Sequence, residues 1–114
     1  MSKKPIDYIN LEDDMPPVAV AIDMLKSKLA RCRQNKTKCL YIIHGYGSSG
    51  AGGAICASVR KLLTAQAKNG KIKTVVFGED FNVVNEAARN LYEKYAGLDE
   101  LLCTCNHGVT VIEL

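Results

Sequence analysis

The apolar positions along the chain change period several times, and each change marks an element. Ile6-Asp7-Tyr8-Ile9-Asn10-Leu11 alternates apolar and polar residues, the pattern of a half-buried strand. Acidic Glu12-Asp13-Asp14 and then Met15-Pro16-Pro17 follow. Acid ahead of a helix and proline in its first turn suit the unpaired N–H groups there. Val18, Ile22, Leu25, Leu29 and Cys32 then recur at helical spacing, and Arg31, Arg33 and Lys36 place cations at the helix C-terminus. Cys39-Leu40-Tyr41-Ile42-Ile43 is an unbroken apolar run of strand length, as expected of a strand covered on both faces.

A loop, His44-Gly45-Tyr46-Gly47-Ser48-Ser49-Gly50, separates that strand from a second amphipathic helix carrying Ile55, Val59, Leu62 and Leu63. Asn69-Gly70 is its stop. Ile72 to Phe77 reads as a β-branched strand closed by Gly78-Glu79-Asp80. Asn82 to Tyr95 has a weaker helical pattern through Val84, Ala87, Ala88 and Leu91. A polar stretch ends at Asn106-His107-Gly108, and Val109 to Ile112 forms a last strand. The order β-α-β-α-β-(α)-β defines an α/β fold over residues 1–114 as a single domain. Strands separated by helices are expected to run parallel through right-handed crossovers. Ligands of such sheets bind beyond the carboxyl ends of the strands. If the last strand is antiparallel, Asn106-His107 joins that edge, and both histidines of the chain meet there.

With 114 residues the chain is long enough for its own core. No apolar run spans a bilayer, and Met1-Ser2-Lys3-Lys4-Pro5 resembles no signal peptide, so a cytoplasmic location without membrane contact is expected. Five cysteines in irregular spacing fit reduced thiols, three of them inside apolar segments. A net charge of +3 permits a polyanionic partner without requiring one. Cys103-x-Cys105-x-His107 offers three zinc-ligand types without a fourth nearby, so no metal site is assigned there.

Gly45-x-Gly47-x-x-Gly50 matches the dinucleotide fingerprint in letters, but Ala67-Lys68-Asn69-Gly70 stands where an acidic ribose ligand belongs. No Gly-Lys-Ser/Thr follows, so the loop is no nucleotide P-loop. No Gly-x-Ser-x-Gly elbow supports a hydrolase. What remains is glycine backbone N–H groups, two serine hydroxyls and a following helix N-terminus, a cradle for an anion.

The segments YIIHGYGSSGAGGAICASVRKLL and NHGVTVIEL resemble the Smr (small MutS-related) domain family, including its free-standing members. The His-Gly-x-Gly motif, His44 to Gly47, matches without a gap, and INLEDDMPPVAVAIDML aligns with the family's N-terminal Leu-Asp-x-His segment. The resemblance implies a two-layer α/β sandwich with a mixed four-stranded sheet, like the C-terminal domain of translation initiation factor three. It also implies binding of DNA or RNA, with nicking or cleavage in several members. Asn10 and Glu12 replace the Asp and His of the first motif, which separates the fold from the cleavage activity.

On this reading His44 is the candidate acid-base residue or phosphate-orienting group, and Glu12 the candidate base. Gly45, Tyr46, Gly47, Ser48, Ser49, Arg60, Lys61, Asn106 and His107 are the candidate nucleic-acid contacts, with Lys3, Lys4, Lys71 and Lys73 further out. Glu12, Asp13, Asp14, Glu79 and Asp80 could supply oxygens to Mg²⁺ or Mn²⁺ beside a phosphate. Without such a cation this acidic edge repels a nucleic-acid backbone, and binding then depends on basic residues further out. The alternative is a non-catalytic module that docks on a protein or a ribonucleoprotein.

Overall fold

The computed structural model describes residues 3–13, 16–45, 51–102 and 104–114. Its elements run β1 (Asp7–Asn10), α1 (Val18–Gln34), β2 (Cys39–Ile43), α2 (Ala51–Lys68), β3 (Thr74–Phe77), α3 (Glu86–Lys94) and β4 (Val109–Glu113), with short 3₁₀ turns at Gly78–Asp80 and Asp99–Leu101. The order is the one the periodicity predicts. No helix among the described residues is long and apolar enough to cross a membrane.

The four strands form one mixed sheet in the order β1-β2-β4-β3. β1 pairs parallel with β2, and β4 lies antiparallel between β2 and β3, with Cys39 and Thr74 both opposite Glu113. β1, β2 and β3 therefore share one direction, as expected, but β2 and β3 are not neighbours. Their carboxyl ends and the amino end of β4 make one edge of the sheet, called here the upper end.

α1 and α2 cover one face of the sheet through Leu25, Leu29, Ile55, Val59 and Leu63 against Leu40, Ile42 and Ile112, all fully or almost fully buried. This is the two-layer sandwich. On the other face α3 and the segments beside it pack Phe81, Leu91, Tyr95 and Leu98 against Cys39, Val76, Val109 and Val111. β2 thus has cover on both faces, which its unbroken apolar run requires. At the far edge Tyr8 of β1 stays half exposed, its ring 5.3 Å from that of Tyr41 and tilted at 49° to it.

Two helix starts differ from the sequence expectation, for local reasons. Pro16 and Pro17 precede α1 instead of lying in its first turn. Pro17 is the N-cap, its carbonyl accepting from Ala21 N at 3.0 Å, and no acid occupies the first turn. Asp13 instead donates its backbone N–H to the Asn10 side chain at 3.1 Å. α3 begins at Glu86 and not near Asn82, because Asn82 Oδ1 accepts from the N–H groups of Val84 and Asn85 and holds them in a turn. Asn85 then caps the helix by accepting from Ala88 N at 3.0 Å. Val84, placed by its spacing on the buried stripe, is therefore outside the helix and 85% exposed.

Cys32, Cys39, Cys56 and Cys105 are free thiols. Burial pushes the Cys39 thiol up to about 12, with the Glu113 carboxylate adding, so it behaves as a small core hydrophobe. Cys103 lies outside the described residues.

Candidate functional site

The upper end is tied together by backbone. Leu11 N donates to Ile43 O at 2.7 Å, joining the exits of β1 and β2. His44 N and Gly45 N both donate to Gly108 O, at 2.9 and 3.0 Å, joining the exit of β2 to the entry of β4. The Asn106 side chain turns that entry by accepting from Gly108 N at 2.9 Å. Asn106 is thus held as a turn residue.

His44 is fully buried. Its Nδ1 lies 2.7 Å from the Gly45 carbonyl, which only accepts, so Nδ1 carries the proton. Nε2 is then the acceptor, and Thr110 Oγ1 donates to it at 2.8 Å. Burial lowers the pKa of the ring, and the Arg60 charge adds to this. The Gly45 carbonyl and Glu79 act in the opposite direction without reversing it. His44 is therefore neutral near pH 7, with both nitrogens engaged inside the protein. It ties Gly45 to β4 as a hydrogen-bonding cap at the end of β2, and not as an acid-base group open to substrate.

Gly45 has φ +68°, and a Cβ there would collide with Glu12 Oε2. The positive φ is what calls for glycine, since the exposed Glu12 side chain can swing aside. The same contact shows that the Glu12 carboxylate lies against the loop, so the chain does bring Glu12 and the His44 segment together. Glu12 is exposed, and its own N–H donates to Asn10 Oδ1 at 3.0 Å. Asn10 thereby organises the turn after β1.

Arg60 is placed differently from a free phosphate-binding cation. Its Nη1 and Nη2 donate to the two Glu79 oxygens at 2.7 and 2.6 Å, and Nη2 also reaches His107 O at 3.1 Å. The guanidinium lies 4.2 Å from the centre of the Phe77 ring. Burial pushes the Glu79 carboxyl up, but Arg60 more than offsets this and holds it below the usual carboxylate range. The fork geometry neutralises both charges in place. His107 is 59% exposed in its side chain and stands 3.6 Å from Glu79. The two histidines share the upper end, as the antiparallel β4 requires, but their rings face different partners.

Lys61 is exposed on the outer face of α2. Tyr46, Gly47, Ser48 and Ser49 lie outside the described residues, and so does Asp14. Among the described residues no three His, Cys, Asp or Glu side chains converge as a metal donor set. Since Arg60 already occupies Glu79, no step is assigned to Mg²⁺ or Mn²⁺. Thr110 was not singled out by sequence. The available signal was a hydroxyl within the apolar run of β4, since such a group needs an internal partner when buried.

The fold and site define a small α/β domain in which a buried histidine ties the exit of β2 to β4, ahead of a long helix in the chain. The Smr domain model matches residues 16–79, more than half of the chain, and the protein belongs to that family. Its members generally bind nucleic acid. No curated protein and no solved structure matches the chain.

Proposed function

We propose that this domain binds DNA or RNA with the loop from His44 to Ser49 at the phosphate backbone, and that His44 acts there as a positioning residue without taking part in cleavage. The observation that carries this reading is the state of His44: buried, neutral, and bonded through both nitrogens. A general acid or base must reach the proton it transfers, and this ring has no nitrogen left for a substrate. What it does is fix Gly45, whose carbonyl accepts from the ring and whose N–H donates to Gly108 O. An 18-residue helix with no acid in its first turn begins directly after that loop. Unpaired N–H groups and the helix dipole favour an anion at such a start.

Among the described residues, Glu12 is exposed and lies against Gly45, which makes it the candidate for chemistry beside the loop. The test is to incubate supercoiled plasmid and a hairpin RNA with the protein, with Mg²⁺ or Mn²⁺ and with chelator, scoring binding and strand breaks together. Retention of intact nucleic acid is the expected result. Nicking that disappears in Glu12→Gln while the variant stays folded would reverse the assignment and make the protein a nuclease. The docking-module reading finds support in the open edge of β1, where Tyr8 is 51% exposed, and in Val20 of α1, 46% exposed and sharing a surface groove with Ile9. Absence of binding to every nucleic acid would favour it.

A further inference from the structure

The charges of this chain are sorted along the strand axis. At the upper end Glu12, Asp13, Asp80 and Glu86 are exposed, while Arg60 is tied to Glu79. The opposite, lower end gathers the entries of β1, β2 and β3, the exit of β4 and the C-termini of all three helices. Lys4, Lys38, Lys71 and Lys73 stand there on the segments that enter the strands. Arg33, Lys36, Lys68 and Lys94 stand at the helix ends. All eight are exposed.

These cations form one surface. Leu114 N donates to Lys38 O at 2.7 Å and Lys73 N to Glu113 O at 2.8 Å, so Lys38 and Lys73 flank the end of β4. Lys94 Nζ is 2.7 Å from Glu113 Oε2, and Lys4 N donates to Lys94 O at 3.0 Å. Arg33 Nη2 donates to Lys71 O at 3.2 Å. Lys4, Lys36 and Lys38 line one common groove, and Lys73 and Lys94 line another.

Little negative charge offsets them. Glu113 is buried beneath Lys94 and Lys73, and Tyr95 donates to it at 2.6 Å. Asp7 is matched by Lys28 at 2.8 Å. Glu93 and Glu113 stand among these eight cations, so positive side-chain charge predominates at this end. Helix dipoles account for cations at helix C-termini. They do not account for Lys4, Lys38, Lys71 and Lys73 on the strand entries. Lys36 has φ +59°, where glycine would sit without steric cost, so the position carries a charge at some expense in backbone energy.

We propose that the lower end is a second nucleic-acid contact, a sequence-independent grip on the sugar–phosphate backbone, remote from the His44 loop. The inference rests on the nucleic-acid reading above. It resolves that reading's electrostatic difficulty, because the acidic upper end alone repels the polymer and its arginine is already paired. Phosphate contacts by lysines release counterions, so each adds about 0.9 to the slope of log affinity against log salt on duplex nucleic acid.

The test compares the wild type with Lys36→Gly/Lys38→Gln and with Lys26→Gln/Arg89→Gln, a control of equal net charge altered elsewhere. Binding to fluorescein-labelled duplex RNA and to duplex DNA of the same sequence is measured from about 0.05 to 0.2 M salt, with thermal midpoints recorded for all three proteins. The lower-end variant is expected to keep its midpoint, lose about two units of salt slope and lose about tenfold or more in affinity. The control should keep its slope. Loss on both duplexes supports a grip on the shared phosphate chemistry, and loss on one alone supports it while naming the nucleic acid. Equal behaviour of variant and control, in a wild type that binds, overturns the lower-end site and leaves the loop reading standing. A wild type that binds neither duplex overturns both.

Discussion

Replacing His44 with Ala is expected to lower stability by about 3 kcal/mol, a fall of roughly 10–15 °C in thermal midpoint for a domain of this size. The imidazole is fully buried, so its removal leaves a polar void. The Gly45 carbonyl and the Thr110 hydroxyl each lose their partner. Unpaired buried groups cost about 1–3 kcal/mol each. His44→Gln, whose amide can both donate to the carbonyl and accept from the hydroxyl, should recover part of the loss. The pH dependence follows from the lowered pKa of the ring. The unfolded chain takes up a proton near pH 6.5 and the folded protein does so only at lower pH. The stabilisation is therefore complete above pH 6.5 and declines as pH falls through the folded value. Denaturant titrations should show that acid-side decline in the wild type and a smaller one in His44→Gln.

Gly78→Ala is expected to cost a similar amount, about 3 kcal/mol. A Cβ at Gly78 would collide with the carbonyl oxygen of Asn106 and stand 2.8 Å from that of Val109. Both obstacles are backbone, so no side chain can swing aside. The segment from Asn106 to Val109 would have to move, and it carries the Gly108 carbonyl on which His44 N and Gly45 N converge. The substitution should thus disturb the loop after β2 from across the sheet. Chemical shifts of the Gly45 and Gly108 amides, beside a urea titration, report the two effects. Gly70→Ala is the useful contrast, because nothing stands within 4 Å of its Cβ. Its cost comes from φ +77° alone, and the loop should not register it.

The elements with a strong period were legible in sequence. The 3.6-residue spacing of Leu25, Leu29 and Cys32 and the unbroken run Cys39 to Ile43 each dictate an element and its burial. Propensity misled where short polar side chains compete for backbone groups. Asn82 holds its own turn, and the helical spacing of Val84 has no consequence once that turn forms. The neighbour relations of the sheet depend on long-range packing, so the insertion of β4 between β2 and β3 was not written in any local pattern.

The site shows the same division. The glycine loop, its position after a buried strand and the approach of Glu12 followed from motif and topology. The pairing of Arg60 with Glu79 joins residues from α2 and the turn after β3, and it converts a candidate phosphate ligand into part of the scaffold. The sequence reading also tied binding through an acidic edge to basic residues further out, but only the topology places Lys4, Lys38 and Lys73 side by side. Charges scattered along the chain become one surface because three strands start at the same end.

The central claim, that this domain holds nucleic acid by its phosphates, is most directly tested by the affinity of the wild-type protein for a labelled hairpin RNA and a labelled duplex DNA as salt is raised. The prediction is a straight line of negative slope in log affinity against log salt for at least one of them. Binding that does not change with salt, or no binding to either at low salt, would contradict it.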